Sequence, residues 1–438
     1  MPEHTRRRLL AATGTAAAAS LAGCSALPFG DDPTVSGGDL AAVVAEPAPS
    51  VPASLPVAMA SDHLAETETA IRDDLASVPA SVDAAAAPNG AIRDRLTRER
   101  DRATEALARA TEAQSPWERA GRVRRARSAV GFLVGAWAAI DGDRSVAAVR
   151  RDADAVRADL AAFRRTWAYV GADPVDAVVV HDAIAGLVRG CLADLNRVLS
   201  ATPSDPTAAL TVAETDEHLA GARVALRDAA HLFDRLDRGD GVRDRRDTFA
   251  SAAAALVEQV RTRRRDLGLA DGTPTSGVPE GAVPAERALH ERERDARRGA
   301  RIEEFRATGA FPRAVVEAHR ELALLGAVET LRARVDAGEA VDPASADDLR
   351  TIRRRAREAV ATSAADGRTR PLDRLRLHDL AAAIAYYDDD LSRYDADRQV
   401  SIPGLGWELA GYVSVAAVAR NVVPASDAVA AALTGSGA

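Results

Sequence analysis

Residues 146–170 read VAAVRRDADAVRADLAAFRRTWAYV, in which Val146, Val149, Ala153, Val156, Leu160, Phe163, Trp167 and Val170 recur at alternating steps of three and four. That period places the apolar side chains on one face of an α-helix, whereas a half-buried strand would alternate. A seven-residue repeat sustained this far also keeps its stripe against a neighbouring helix at a shallow crossing angle. The spacing returns in Leu377, Leu380, Ile384, Tyr387, Leu391 and Tyr394. Strand-type alternation is nearly absent, so the chain is predicted to be all-α, with long antiparallel helices in one elongated or two packed helical bundles.

Helix starts are marked at Ser115-Pro116-Trp117-Glu118, a capping box with proline at the first helical position, and at Asp173-Pro174, Asp205-Pro206 and Asp342-Pro343. Stops are expected at Gly142, Gly171, Gly239, Gly309, Gly338 and Gly367. Together these marks give roughly a dozen helices joined mostly by short connections. The stretch 270–284, ADGTPTSGVPEGAVP, is the longest interruption and suggests a linker between a bundle at 61–269 and a second at 285–438.

At the N-terminus, Thr5-Arg6-Arg7-Arg8-Leu9-Leu10 is followed by an uncharged, weakly apolar run and then by Leu21-Ala22-Gly23-Cys24. A basic region, a short apolar region and a small-residue cleavage site make a signal peptide, too short to span a bilayer. Residues 1–23 resemble twin-arginine lipoprotein signals: Arg6 and Arg7 fall on the paired arginines, Leu9 and Leu10 on the apolar pair, and Leu21, Ala22, Gly23 and Cys24 on the lipobox. The resemblance implies export in the folded state by the twin-arginine translocase, cleavage by signal peptidase, and a lipid on Cys24 that holds the chain on the extracytoplasmic face of the cell membrane. Residues 24–60, rich in proline and alanine, read as an extended tether.

The formal net charge is −8, and all basic charge is arginine, for the sequence holds no lysine. Leader cleavage removes Arg6, Arg7 and Arg8 with only Glu3, so the mature surface is more acidic still. An arginine-only acidic composition resembles that of salt-loving archaeal proteins. Negative charge and export argue against nucleic acid as a partner. With Cys24 acylated, Cys191 is left alone on the apolar stripe of Ile184, Val188, Leu195 and Val198, so no disulfide forms within the chain and a buried thiol is expected.

Candidate chemistry is sparse. His63 and Glu66 have the His-x-x-Glu spacing that puts two metal ligands on one helix face, a spacing similar to that of the imelysin-like family, although that family's glycine two residues before the histidine is replaced by Ser61. Asp228 and His231 form a second such pair, and His218 follows an acidic run. The sequence lacks the HExxH, CxxC, GxSxG and phosphate-loop signatures. Arg119, Arg122, Arg124, Arg125 and Arg127 suit phosphate or acidic headgroups, but they also read as a solvated face. Downstream, AVGFLVGAWAAI at 129–140 reads as a central core helix in which Gly131 and Gly135 allow close approach. Tyr386-Tyr387-Asp388-Asp389-Asp390 reads as an acidic solvated surface, and the apolar stretch 404–433 as a packed last helix.

The preferred reading is a non-catalytic surface protein, anchored by lipid, that binds a solute or a partner protein. Two alternatives remain open at this level: a metal- or cofactor-dependent helical enzyme folded before export, its cofactor unknown, and a structural spacer.

Overall fold

The computed structural model describes residues 32–85, 87–202, 208–238, 240–270, 277–299, 301–339 and 341–435. Arg6, Arg7, Leu9, Leu10, Leu21, Ala22, Gly23 and Cys24 lie outside the described residues, as do Asp205, Pro206 and Gly239.

In chain order the elements are β1 (Thr34–Ser36), α1 (Gly37–Val43), α2 (Ser61–Ser77), α3 (Gly90–Thr111), α4 (Pro116–Ile140), α5 (Val146–Thr166), β2 (Val170–Gly171), α6 (Pro174–Ser200) and α7 (Ala208–Leu236). There follow β3 (Arg243–Asp244), α8 (Arg246–Asp266), α9 (Pro284–Arg298), α10 (Ile302–Ala307), α11 (Phe311–Asp336), α12 (Ala346–Ala365) and α13 (Pro371–Ser392). The chain closes with β4 (Gln399–Ser401), a 3₁₀ turn (Ile402–Leu405) and α14 (Gly406–Thr434). The fold is all-α, and its two short ribbons, β1 with β4 and β2 with β3, are antiparallel.

The first half is organised around α4, which packs on α7, α3 and α2, while α6 lies along α7. Close approach of α4 and α7 depends on glycine: a Cβ on Gly131 would stand 2.6 Å from the Ala220 Cβ, and one on Gly135 would stand 2.6 Å from the Asp216 Cβ. The second half is organised around α14, packed against α11, α12, α13 and α9. In its most apolar window α14 is 72% buried, so its hydrophobicity is spent on the protein interior. One hydrophobic cluster runs from Val35 to Leu433 through both halves, joined where α6 meets α11 and α13. Two smaller clusters surround α4, one shared with α2 and α3 and the other with α3 and α7.

Several expectations need correction. Residues 32–60 are not a free tether. Leu40 is fully buried, Val43, Val51, Ala53 and Met59 are buried, and α1 packs on α12 and α13. Distant side chains hold the irregular part by its backbone: Glu118 Oε1 accepts from Ala53 N at 2.8 Å, His231 Nε2 accepts from Ala60 N at 3.1 Å, and His378 Nδ1 meets Val51 O at 2.7 Å. A proline-rich strand of chain lacks internal hydrogen bonds, so it satisfies its polar groups from the surface it crosses. By packing, α8 groups with α11 and α14, ahead of the 270–284 stretch where composition suggests the division. Helix α5 ends at Thr166 rather than running on to Gly171, because Val170 turns into β2 opposite Asp244 and its carbonyl accepts from His181 Nε2 at 2.9 Å. Asp342-Pro343 does not open α12; Ser345 does, its Oγ accepting from Asp348 N at 3.3 Å.

Candidate functional site

The arginine run of α4 lies where α2, α4, α6 and α7 converge. Its helix starts on Ser115, whose Oγ accepts from Glu118 N at 3.1 Å, and this register turns Arg119 toward α2 and Arg124 toward α7. Arg119 Nε donates to Glu68 Oε1 at 2.8 Å, and that hydrogen bond holds the Glu68 carboxyl below its ordinary value despite burial. Arg127 pairs with Asp74, and Arg122 donates to the Arg109 carbonyl. Arg124 Nη1 donates to Asp228 Oδ2 at 2.6 Å, with its guanidinium 4.9 Å over the Trp117 ring.

Asp228 is the centre of a buried network. Its other oxygen lies 2.8 Å from His63 Nε2, and its side chain is 3% exposed. His63 stacks on His231 with centroids 4.1 Å apart and planes at 20°. Because His231 Nε2 accepts from Ala60 N, its proton sits on Nδ1; burial, and then the neighbouring His63, hold this imidazole below its ordinary pKa. The two histidine pairs noted in the sequence thus meet, but in a different combination. His63 takes Asp228 as partner, while Glu66 turns outward to Arg227 at 2.5 Å. His63 and Glu66 therefore do not face one ion, and among the described residues no group of three or more His, Cys, Asp and Glu side chains is placed to hold a metal. The network joins α2, α4 and α7 and fixes Arg124.

On the far side of Arg124 opens a cleft of about 480 Å³ between α4, α6 and α7, lined by Arg102, Arg124, Arg125 and Arg197 with Asp194, Glu217 and His218. Gly121, Gly186, Gly190 and Gly221 form much of its wall. An added Cβ at Gly190 would meet nothing within 4 Å, so this glycine widens the cleft rather than permitting helix contact. Arg197 and His218 share Asp194, at 2.9 and 3.3 Å. Arg102 lies 3.2 Å from Glu99 and 3.7 Å from Glu217, whose carboxyl is raised by burial and by Glu99. Arg125 differs. Among the described residues it has no carboxylate at ion-pair distance, and burial together with Arg122, Arg124, Arg109 and Arg102 lowers its pKa. A second arginine-lined pocket of about 260 Å³, with Arg334, Arg355 and Arg420 over Ile352, Val413 and Ala416, lies between α11, α12 and α14.

Sequence reading singled out the arginines but missed the cleft. The signal for it was Gly-x-x-x-Gly at 186 and 190, on a helix whose remaining periodicity is apolar. Of the acids read as a solvated surface, Asp389 is exposed and pairs at the surface with Arg393, which also reaches Asp390, whereas Asp388 is drawn inward by Arg353 and Tyr412.

No curated protein and no solved structure matches the chain. Residues 62–244 are similar to a family described as a domain of unknown function (DUF8262), and residues 246–431 to a second (DUF8264), so the two similarities meet at Arg245, immediately before α8.

Proposed function

We propose that this chain is a non-catalytic, lipid-anchored protein of the extracytoplasmic face whose α4/α6/α7 cleft binds an anionic solute. Arg125 carries the reading. A guanidinium beside other arginines, with no carboxylate at ion-pair distance among the described residues, leaves positive potential at a concave surface, and its planar fork matches carboxylate or phosphate oxygens. Asp228 supports it from behind by fixing Arg124, so the arginine pair is pre-organised before an anion arrives.

The test is thermal unfolding of the full chain at constant ionic strength with phosphate, sulfate, and di- and tricarboxylates. A bound anion at 100 times its dissociation constant adds about 2.7 kcal/mol of stability. The expected result is a shift with one class of anion that Arg125→Ala abolishes. No shift with any class, or a shift that survives Arg125→Ala, overturns the assignment of the cleft. The anchor is tested separately: Cys24→Ser sheds the protein into the medium if a lipid holds it, and retention on the membrane refutes the lipid.

A further inference from the structure

We infer that the face built by Trp407 and Tyr386 rests in the lipid–water interface and sets the orientation of the body on the membrane. This inference rests on the lipid anchor at Cys24.

The folded body begins close to this face. Ile402 N donates to Pro33 O at 2.8 Å, and β1 pairs with β4, so the chain enters beside the start of α14. Asp32 is eight residues on from Cys24, a reach of at most about 28 Å at full extension. From Ile402 to Trp407 the chain spans no more than about 18 Å. An acyl group on Cys24 therefore confines this end of the molecule to the neighbourhood of the bilayer, because residues 32–60 are packed and give no further slack.

What stands at that end suits an interface. Trp407 and Tyr386 are 46% and 54% exposed, and the other three tryptophans are partly buried. They meet edge to face with centroids 5.8 Å apart, and Tyr387 lies under Trp407 at 5.0 Å. Tyr387 in turn packs on buried Tyr412 at 5.5 Å, in space left by Gly411, where a Cβ would fall 2.3 Å from the ring. The platform is thus held from below. Among the acids beside it, Asp388 is paired in the interior with Arg353, Asp390 is largely covered and pairs with Arg393, and Asp389 shares that arginine at the surface. Burial, with Asp390, raises the Glu408 carboxyl. Tryptophan and tyrosine, each with an apolar body and a polar edge, favour the headgroup level of a bilayer.

The experiment uses acylated full-length protein in vesicles whose lipids carry bromine on the acyl chains, with flotation and tryptophan emission read on the same sample. The expected result is that the wild type floats and is quenched, and that Trp407→Phe floats equally while losing most of the quenching. Flotation with no quenching, or with quenching unchanged in Trp407→Phe, overturns the orientation but leaves the anchor standing. Emission that responds to protein concentration and not to bromine assigns the patch to a second copy of the chain and also overturns it. Failure to float removes the anchor and this inference together.

Discussion

His181 makes the stability of this fold depend on pH in a way that a single substitution isolates. It is wholly buried on α6, and its ring joins three parts of the chain. Trp167 Nε1 donates to Nδ1 at 3.1 Å, so the proton belongs on Nε2, which donates to Val170 O at 2.9 Å. A second proton on Nδ1 would face the indole N–H and break that bond. Burial lowers the imidazole from an ordinary 6.5 to about 4. A folded-state pKa below the unfolded one means that the unfolded chain binds the proton first, so this stabilisation is present above pH 6.5 and is lost as pH falls toward 4. At 1.36 kcal/mol per unit, the loss is on the order of 3 kcal/mol. Urea unfolding at fixed salt, on the wild type and His181→Gln from neutral pH down to about pH 4, gives the difference between the two at each pH. Titrating carboxylates are common to both and cancel. The stability advantage of histidine over glutamine should shrink by that amount across the range. Parallel curves would falsify the assignment of His181 as a neutral buried group.

Leu40→Ala, in the segment that composition marks as a tether, should cost about 2–5 kcal/mol as a core truncation, and unchanged unfolding would return that segment to the status of a leash. Gly135→Ala drives a Cβ to 2.6 Å from Asp216 and should lose about 1–3 kcal/mol in chemical denaturation, whereas Gly190→Ala meets open space and should be neutral or stabilising. Burial pushes the Cys191 thiol up to about 11, so a thiol reagent should leave it untouched in the folded chain and label it on unfolding. Labelling at the native rate of an exposed thiol would refute its placement.

The helices were legible because each buries a stripe, and a stripe leaves a period in the sequence. Val149, Ala153 and Leu160 on α5 and Leu377 and Ile384 on α13 are all buried. The caps at Ser115 and Asp173 read correctly for the same local reason, since a cap and its helix are neighbours in the chain. What escaped was long-range. Residues 44–60 bury Val51, Ala53 and Met59 one at a time without a period, and the groups that hold their backbone, Glu118, His231 and His378, come from far along the chain. The pairing of His63 with Asp228 is of this kind, because an i, i+3 spacing states which residues share a helix face and not which helix comes to meet them. Even the capping box at Ser115 was partly diverted, for Glu118 reaches the Gln114 and Ala53 amides.

The ribbon of β1 with β4 ties nearly the first described residues of the chain to nearly the last helix, Val35 opposite Val400. During synthesis, then, β1 and α1 emerge early and wait for a partner until β4 and α12 to α14 exist. A chain that stops short leaves that stretch undocked, with Leu40 and Val43 in water. On the proposed route of export after folding, the condition of the far end of the chain would thereby be readable at its near end.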